Sequence, residues 1–547
     1  MRIRPVINTL RNFKAVNYQS PIQRVMDTTT KEHKLLQAEI KNYIQNPVTI
    51  FSQINGSQFM TEQNNVCQVS PLYSHPVVSM FNYLGPQPIL SGIEKSEKAK
   101  KQWLEVPIEN RMEIMLKIAD LIENKYFYKM LAATMVGQGK TIYEANIDAI
   151  QETIDFLRFN VDFSLQILKK QPISTENITN VSLYQPLQGV VASYTPFNFT
   201  AIAANLATAP LIWGNSVFWK PSEKAMLSNH LFYEICLEAG VHHNILNFVI
   251  TEAGLFTNAI TNNNKLGAVL FTGSSFGYNS VLEKVHTNYY NKVLNFGAVR
   301  KDHIKTEYTY PRCIGETGGQ NFHFVDTEAN MDLVVEKTMN SAFGYSGQKC
   351  SACSRLYLPR DKWAYFISEI EKKIVETITP ETHGVIGTYS YYELDATIRE
   401  LKNSPSVEVF QFSENDESIS YFISPTIVLC HSADETVLKD EFLGPILGVR
   451  LYAPHEKNEA IRECQEAVPY ALTGAIFSEN DEFLEHAVDL FSNNCGNMYI
   501  NDQSTGAVVG QQPFGGFKAS GTNDKAGDMN FMLRLCNQQN IKINNYV

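Results

Sequence analysis

Between residues 189 and 274, four short runs rich in β-branched and aromatic residues, "GVVASYT", "SVFWKPS", "NFVI" and "AVLFTG", are separated by stretches with room for helices, such as 227–238. Parallel neighbours cannot be joined by a tight turn, so this alternation predicts parallel strands linked by crossover helices. A second alternation follows "RCIGETGGQNFHFVD": a helix through "MDLVVEKTMNSAF", a strand at "SRLYLP", a helix over 363–375, and finally "GNMYIND" with a Gly-rich loop. Ahead of both, residues 96–163 carry apolar side chains at helical spacing, most clearly in "RMEIMLKIADLIENKYFYKMLAATMVGQGKT". With 547 residues the chain exceeds what one core organises. The expectation is a cofactor domain and a catalytic domain, both α/β, facing each other across a cleft.

Hydrophobic residues at 44% and charged residues at 19% fit a folded chain. A net charge of -11 excludes a general nucleic-acid surface, which needs clustered Lys and Arg. No run reaches the length of a membrane span: the charge-free stretch 177–219 is punctuated by Pro186, Pro196, Asn198, Asn205, Pro210 and Asn215, and reads as buried strands and turns. Nine cysteines without a repeating pattern indicate free thiols in a reducing compartment. The N-terminus carries Arg2, Arg4, Arg11, Lys14 and Arg24 before its first acid, Asp27, with Val6, Ile7, Leu10 and Phe13 between them. This fits a mitochondrial presequence over 1–14, or a solvated basic arm in a cytoplasmic protein.

The chemistry-bearing segments are few. In "GYSGQKCSACSR", Cys350 and Cys353 stand three apart. A zinc site needs four ligands and no second C-x-x-C or H-x-x-x-H appears, while a thioredoxin-type couple belongs to a far smaller fold. A single nucleophilic thiol remains: Cys350, with Lys349 beside it to favour the thiolate and Cys353 as a buried strand-edge residue. Glu316, between glycines in "GETGGQN", is either a desolvated general base or a turn residue. In "FTGSSFGYNS", Gly273 and Gly277 follow a strand and open a helix, which suits a phosphate or a plain tight turn. Lys220 and Glu223, in "FWKPSEKA", lie past a strand end, where an acid can hold ribose hydroxyls or form a surface ion pair.

Taken in order, "PFNFT", "WKPSE", "FTGS", "GETGGQN", "GQKCSACSR" and "QQPFGG" resemble the aldehyde dehydrogenase superfamily over about residues 60 to 535. Within it, "MVGQGKT", "IDFLRFN", "PFNFTAIAANLA" and "TGAVVGQQPFGGFKASGTNDKAG" look like the branch that oxidises glutamate semialdehyde to glutamate. The resemblance implies two Rossmann-like α/β domains, with residues 15–171 and 189–317 binding NAD and 318–514 catalytic. Residues 172–188 and 515–547 would form a β oligomerisation arm and C-terminal segment, giving a homodimer or larger assembly. It further implies Cys350 as nucleophile, Asn198 with the Cys350 N–H as oxyanion donors, and Glu316 as the base that activates water. Lys220 and Glu223 would contact the adenosine ribose, Gly273 and Ser274 the pyrophosphate, and Glu441 the nicotinamide ribose. The substrate's carboxylate would meet Ser351 and the backbone at Gly506 and Ala507, with Lys349 near by and Phe514 against its stem.

Four positions depart from the pattern. Asn146 stands where the family has a Glu near the substrate amine, Leu443 where it has a Phe, and Phe517 with Lys518 where it has a small residue and Arg. Residues 281–312 also fit it poorly. These departures keep two other readings open: a dehydrogenase for another ω-semialdehyde, and a catalytically weak family member retained as a structural subunit.

Overall fold

The computed structural model describes residues 24–59, 65–72, 74–298 and 310–546, so the basic segment 1–14 lies outside it, as does part of 281–312. In the first of two seven-stranded sheets, Arg312–Glu316, Leu266–Thr272, Val190–Tyr194, Val217–Lys220 and Leu246–Phe248 lie side by side in that order, all parallel. Every residue of Val190–Tyr194 is buried, as expected of a strand covered on both faces. From that strand the chain steps outward twice, then returns to its other side as Leu266–Thr272. The reversal leaves a crevice between the carboxyl ends of these two strands, which is where open α/β sheets take ligands.

The second sheet runs Val407–Gln411, Thr426–Cys430, Ile446–Tyr452, Cys353–Pro359, Asn321–Val325, Thr473–Phe477, Asn497–Ile500. Only its first pair is antiparallel. Helices Pro86–Glu105, Ile108–Asn124, Phe127–Gln138 and Thr153–Lys169 fulfil the helical reading of the early chain. Before them, Val48–Ile50, Val77–Asn82 and Asn65–Val69 form a small sheet, and Ser52–Ile54 with Ser57–Phe59 extends the first large sheet. These are strands of three to six residues, too short for alternation to mark them.

The stretch 177–219 corrects its sequence reading. Besides strands it contains a helix, Thr200–Ile212, that is buried on all sides and so shows no amphipathic period. Pro210 lies inside it, leaving the Leu206 carbonyl without its helical donor; the Ser193 hydroxyl donates there instead at 2.8 Å. Within 172–188 lies the strand Ile178–Pro186, and its partner within the chain is Cys536–Asn544, antiparallel from Cys536 opposite Pro186 to Asn544 opposite Ile178. Phe531, Met532 and Leu535, just before that strand, are buried in the core of the first sheet's helices.

Gly189 opens the central strand at φ +87°, and a Cβ there would lie 2.2 Å from the Lys265 carbonyl oxygen. Gly189→Ala is expected to cost at least about 2 kcal/mol, seen as a lower urea midpoint; an unchanged midpoint would contradict the close approach.

Candidate active site

After helix Met331–Phe343 the chain turns through Tyr345 and Ser346, both left-handed (φ 55° and 52°), and Gly347 at φ 67°. Cys350 emerges from this turn three residues before strand Cys353–Pro359. Three successive carbonyls of the loop are tied down. The Asn321 amide donates to Cys350 O at 2.7 Å and to Ala352 O at 2.8 Å, while Ser351 O accepts from Thr473 Oγ1 at 3.4 Å and Ser504 Oγ at 3.5 Å. Fixed carbonyls fix the directions of the intervening N–H groups, which preorganisation requires. Cys353 is buried and its thiol donates to Arg355 O, so the two cysteines have separate environments and neither is in a disulfide. Among the described residues no group of three or more His, Cys, Asp or Glu side chains is placed to hold a metal ion.

Cys350 lines a cavity of about 520 Å³ together with Glu316, Lys349, Ser351, Gly506, Ala507 and Phe514, residues drawn from positions almost 200 apart in sequence. Burial pushes the Cys350 thiol up to about 12, helped by the carboxylates Glu441 and Glu316 and opposed by the N–H groups of Cys350 and Ser351. The expected help from Lys349 does not reverse this: burial lowers the pKa of that ammonium too, against the pull of Glu144. Alkylation of the Cys350 peptide by iodoacetamide should therefore rise about tenfold per pH unit from pH 6 to 9. A plateau within that range would show that Lys349 does hold the thiolate.

Glu316 ends strand Arg312–Glu316, and its Oε2 accepts from Gly516 N at 3.1 Å while the buried Oε1 has no hydrogen-bond partner. Burial raises its pKa well above the usual carboxyl range, with the Gly516 N–H and Lys525 opposing. The glycines of "QQPFGG" make this position possible, since a Cβ on Gly515 would sit 2.5 Å from Glu316 Oε1. The same holds in "GETGGQN". A Cβ on Gly318 would meet Glu441 Oε2 at 2.0 Å, and one on Gly319 would meet Cys350 O at 2.8 Å. Glu441 Oε1 accepts from Gly319 N at 3.1 Å, and burial raises its pKa to about 7. Asn198 is buried beside the nucleophile loop, donating one amide hydrogen to Gln348 O at 3.0 Å; an amide carries two, so a donor is left for chemistry.

The other set of sequence-marked residues gathers at the crevice of the first sheet. Gly273 follows Leu266–Thr272, with its N–H bonded to Glu316 O at 3.2 Å, which ties the crevice to Glu316. Ser274 Oγ accepts from Gly277 N at 3.1 Å and opens helix Ser275–Ala298. Lys220 ends Val217–Lys220; it is buried, its ammonium donating to Pro221 O at 3.3 Å, which removes the reading of an exposed ion pair. Glu223 follows, hydrogen-bonded to Tyr83.

One carboxyl of the cavity carries no sequence motif. Glu152 lines it, at the end of a π-helical turn, Asn146–Glu152, and burial raises its pKa to about 8, with Asp148 adding and Lys140 and Lys349 opposing. Asn146 is 1% exposed and does not line the cavity, so the substitution there removes no carboxylate from it. The two positions begin and end the π-helical turn, and no residue pattern announces it. Leu443 has φ 50° and lies in the loop beside Glu441, and Phe517 and Lys518 pair with Ala471 and Tyr470.

A family model described as the aldehyde dehydrogenase family matches residues 59–541. A human protein named delta-1-pyrroline-5-carboxylate dehydrogenase, mitochondrial, is 40% identical over 87% of this chain and 83% of its own. One of the same name from Dictyostelium discoideum is 36% identical over 98% of this chain and 95% of its own. Among solved structures, delta-pyrroline-5-carboxylate dehydrogenase from Mycobacterium tuberculosis bound with NAD superposes with a TM-score of 0.86 at 32% identity, covering 95% of this chain and 94% of that one.

Proposed function

This chain belongs to the aldehyde dehydrogenase family, and from that premise we propose that it oxidises L-glutamate 5-semialdehyde, the open form of pyrroline-5-carboxylate, to L-glutamate with NAD, the second step of proline breakdown. The observation that carries the reading is a single cavity in which the thiol of Cys350 and the buried carboxyl of Glu316 share walls with Glu152 and Lys349, an acid and an amine. Glutamate semialdehyde carries an aldehyde at one end and an ammonium with a carboxylate at the other. Glu152 suits the ammonium; Lys349, Ser351 and the backbone N–H groups at Gly506 and Ala507 suit the carboxylate, and Phe514 covers the stem. An ω-semialdehyde without the amine would leave Glu152 unmatched.

In this reading Cys350 Sγ, as thiolate, attacks the aldehyde carbon and forms a thiohemiacetal. The Asn198 amide and the Cys350 N–H take the developing oxyanion. Bound NAD supplies the acceptor for the hydride given up by that carbon, which leaves a thioester on Cys350. Glu316, as carboxylate, takes a proton from water as its oxygen attacks the thioester; glutamate leaves and the thiol is restored.

The chain's residues fit NAD. The crevice at the strand reversal, Gly273 and Ser274 at a helix start, and Lys220 with Glu223 past the neighbouring strand form a dinucleotide cradle. A carboxylate at Glu223 disfavours the 2'-phosphate of NADP. The notch that Gly318 leaves for Glu441 places a carboxylate for the second ribose. Glu441→Gln is expected to raise the KM for NAD roughly tenfold and, because it removes a carboxylate that raises the Cys350 thiol pKa, to speed alkylation of Cys350; an unchanged KM would remove Glu441 from the cofactor site.

The relatives named mitochondrial support a mitochondrial location. No helix among the described residues is long and apolar enough to cross a membrane. The two-stranded arm, with Leu183 and Ile543 exposed on it, supports a homodimer or larger assembly. The test is NADH formation from pyrroline-5-carboxylate beside succinate semialdehyde, with NADP as a control. Preference for the first by at least tenfold in kcat/KM supports the reading; preference for succinate semialdehyde overturns it.

A further inference from the structure

The motif "MVGQGKT", residues 135–141, lines no part of the cavity, yet four side chains of residues 138–148 reach both catalytic loops. Lys140 and Asp148 form an ion pair of 2.6 Å with side chains only 2% and 1% exposed. Asp148 Oδ2 accepts from Thr200 N at 2.9 Å and Oδ1 from Ala201 N at 2.8 Å. Those are the first N–H groups of helix Thr200–Ile212, whose own cap residue, Phe199, offers no side-chain bond. Asn198 immediately precedes that cap.

The same pair reaches the nucleophile's loop. Lys140 Nζ lies 4.4 Å from the ring centre of Phe199 and 4.8 Å from that of Tyr345, so one buried ammonium sits against an aromatic from each loop. Tyr345 is one of the two left-handed residues of the turn that leads to Cys350. Its N–H donates to Glu144 Oε1 at 2.8 Å and its hydroxyl to Gln138 O at 2.7 Å. Gln138 in turn donates to Phe197 O at 2.8 Å. Left-handed residues other than glycine, such as Tyr345 and Ser346, persist only where their surroundings hold them.

We propose that the Lys140–Asp148 pair is a positioning device that keeps the Asn198 amide and the Cys350 loop in register, so that both oxyanion donors point at one place. Neither residue touches the cavity; they act through Thr200, Phe199 and Tyr345. The assignment of the oxyanion role rests on the proposed function, and the holding of two loops by one pair does not. A buried pair that loses one partner leaves an uncompensated charge, so the variants must separate register from folding.

The experiment uses the full chain as wild type, Asn198→Ala, Asp148→Asn and the double variant, measuring kcat and KM with pyrroline-5-carboxylate and NAD together with amide hydrogen exchange. Asp148→Asn is expected to lower kcat about 30-fold with both KM values within threefold. Asn198→Ala is expected to lower kcat about 100-fold or more, and the double variant to be no more than about threefold slower still. Exchange should rise in the peptides covering 196–203 and 344–352 together. Should Asp148→Asn not fold, Lys140→Met/Asp148→Asn removes both charges and carries the same comparison. Multiplying losses in kcat, or faster exchange in 196–203 alone, overturn the proposal. Absence of wild-type turnover with paired exchange changes intact would overturn the function and leave the device supported.

Discussion

Cys350→Ala is expected to lower aldehyde-dependent NADH formation at least about 10⁴-fold, a loss of roughly 5 kcal/mol of transition-state stabilisation. The size follows from the geometry. No second thiol can substitute: Cys353 is buried behind the loop, donating to Arg355 O, and burial pushes it further from ionisation than Cys350. The variant retains Asn198, Glu316 and the crevice at the strand ends, so it should still bind NAD with an affinity within about threefold of wild type. Stopped NADH formation together with lost NAD binding would instead mean that the substitution disturbed the fold. Residual activity above 1% of wild type would mean that another group starts the reaction.

Glu316→Gln should separate the two halves of the reaction. Thioester formation needs Cys350 and its oxyanion donors, so the first turnover survives, and one equivalent of NADH per site appears as a burst. Hydrolysis needs the carboxylate, and the steady rate should fall by about 10² to 10⁴. The amide replacement is isosteric and can still accept from Gly516 N, so the loop at Gly515 and Gly516 stays in place. The pH dependence carries the same information. Burial raises the pKa of Glu316, so the protonated, inactive form extends above the usual carboxyl range and the steady rate climbs with pH as the proton leaves. In Glu316→Gln that ascending limb should vanish. A variant that keeps the wild-type steady rate and the same limb would assign the base elsewhere, with Glu441 and the cavity's Glu152, Glu144 and Asp524 to test.

Much of this arrangement is legible in the residues because its causes are local. Short β-branched runs between helical stretches mark the parallel part of both sheets, since that alternation has few other packings. Glycine-rich motifs marked Glu316 and Cys350 because a buried carboxyl and a pinned carbonyl need neighbours without a Cβ, as the 2.5 Å and 2.8 Å approaches at Gly515 and Gly319 display. What stayed hidden depends on tertiary contact. Helix Thr200–Ile212 is apolar all round, and its Pro210 is tolerated because Ser193 from a different element serves Leu206 O. Glu152 faces the cavity because a π-helical turn rotates it there, whereas its neighbours in sequence read as an ordinary amphipathic helix. The thiol's elevated pKa follows from burial and from Glu441, some ninety residues away, whereas sequence adjacency pointed to Lys349.

The most direct measurement is the mass of the Cys350 peptide from Glu316→Gln after mixing with pyrroline-5-carboxylate and NAD and rapid acid quenching. One glutamyl group on Cys350, formed in step with the NADH burst and absent without NAD, is the result expected. An unmodified Cys350 alongside NADH formation, or the acyl group on Cys353, would contradict a single working thiol acting on glutamate semialdehyde.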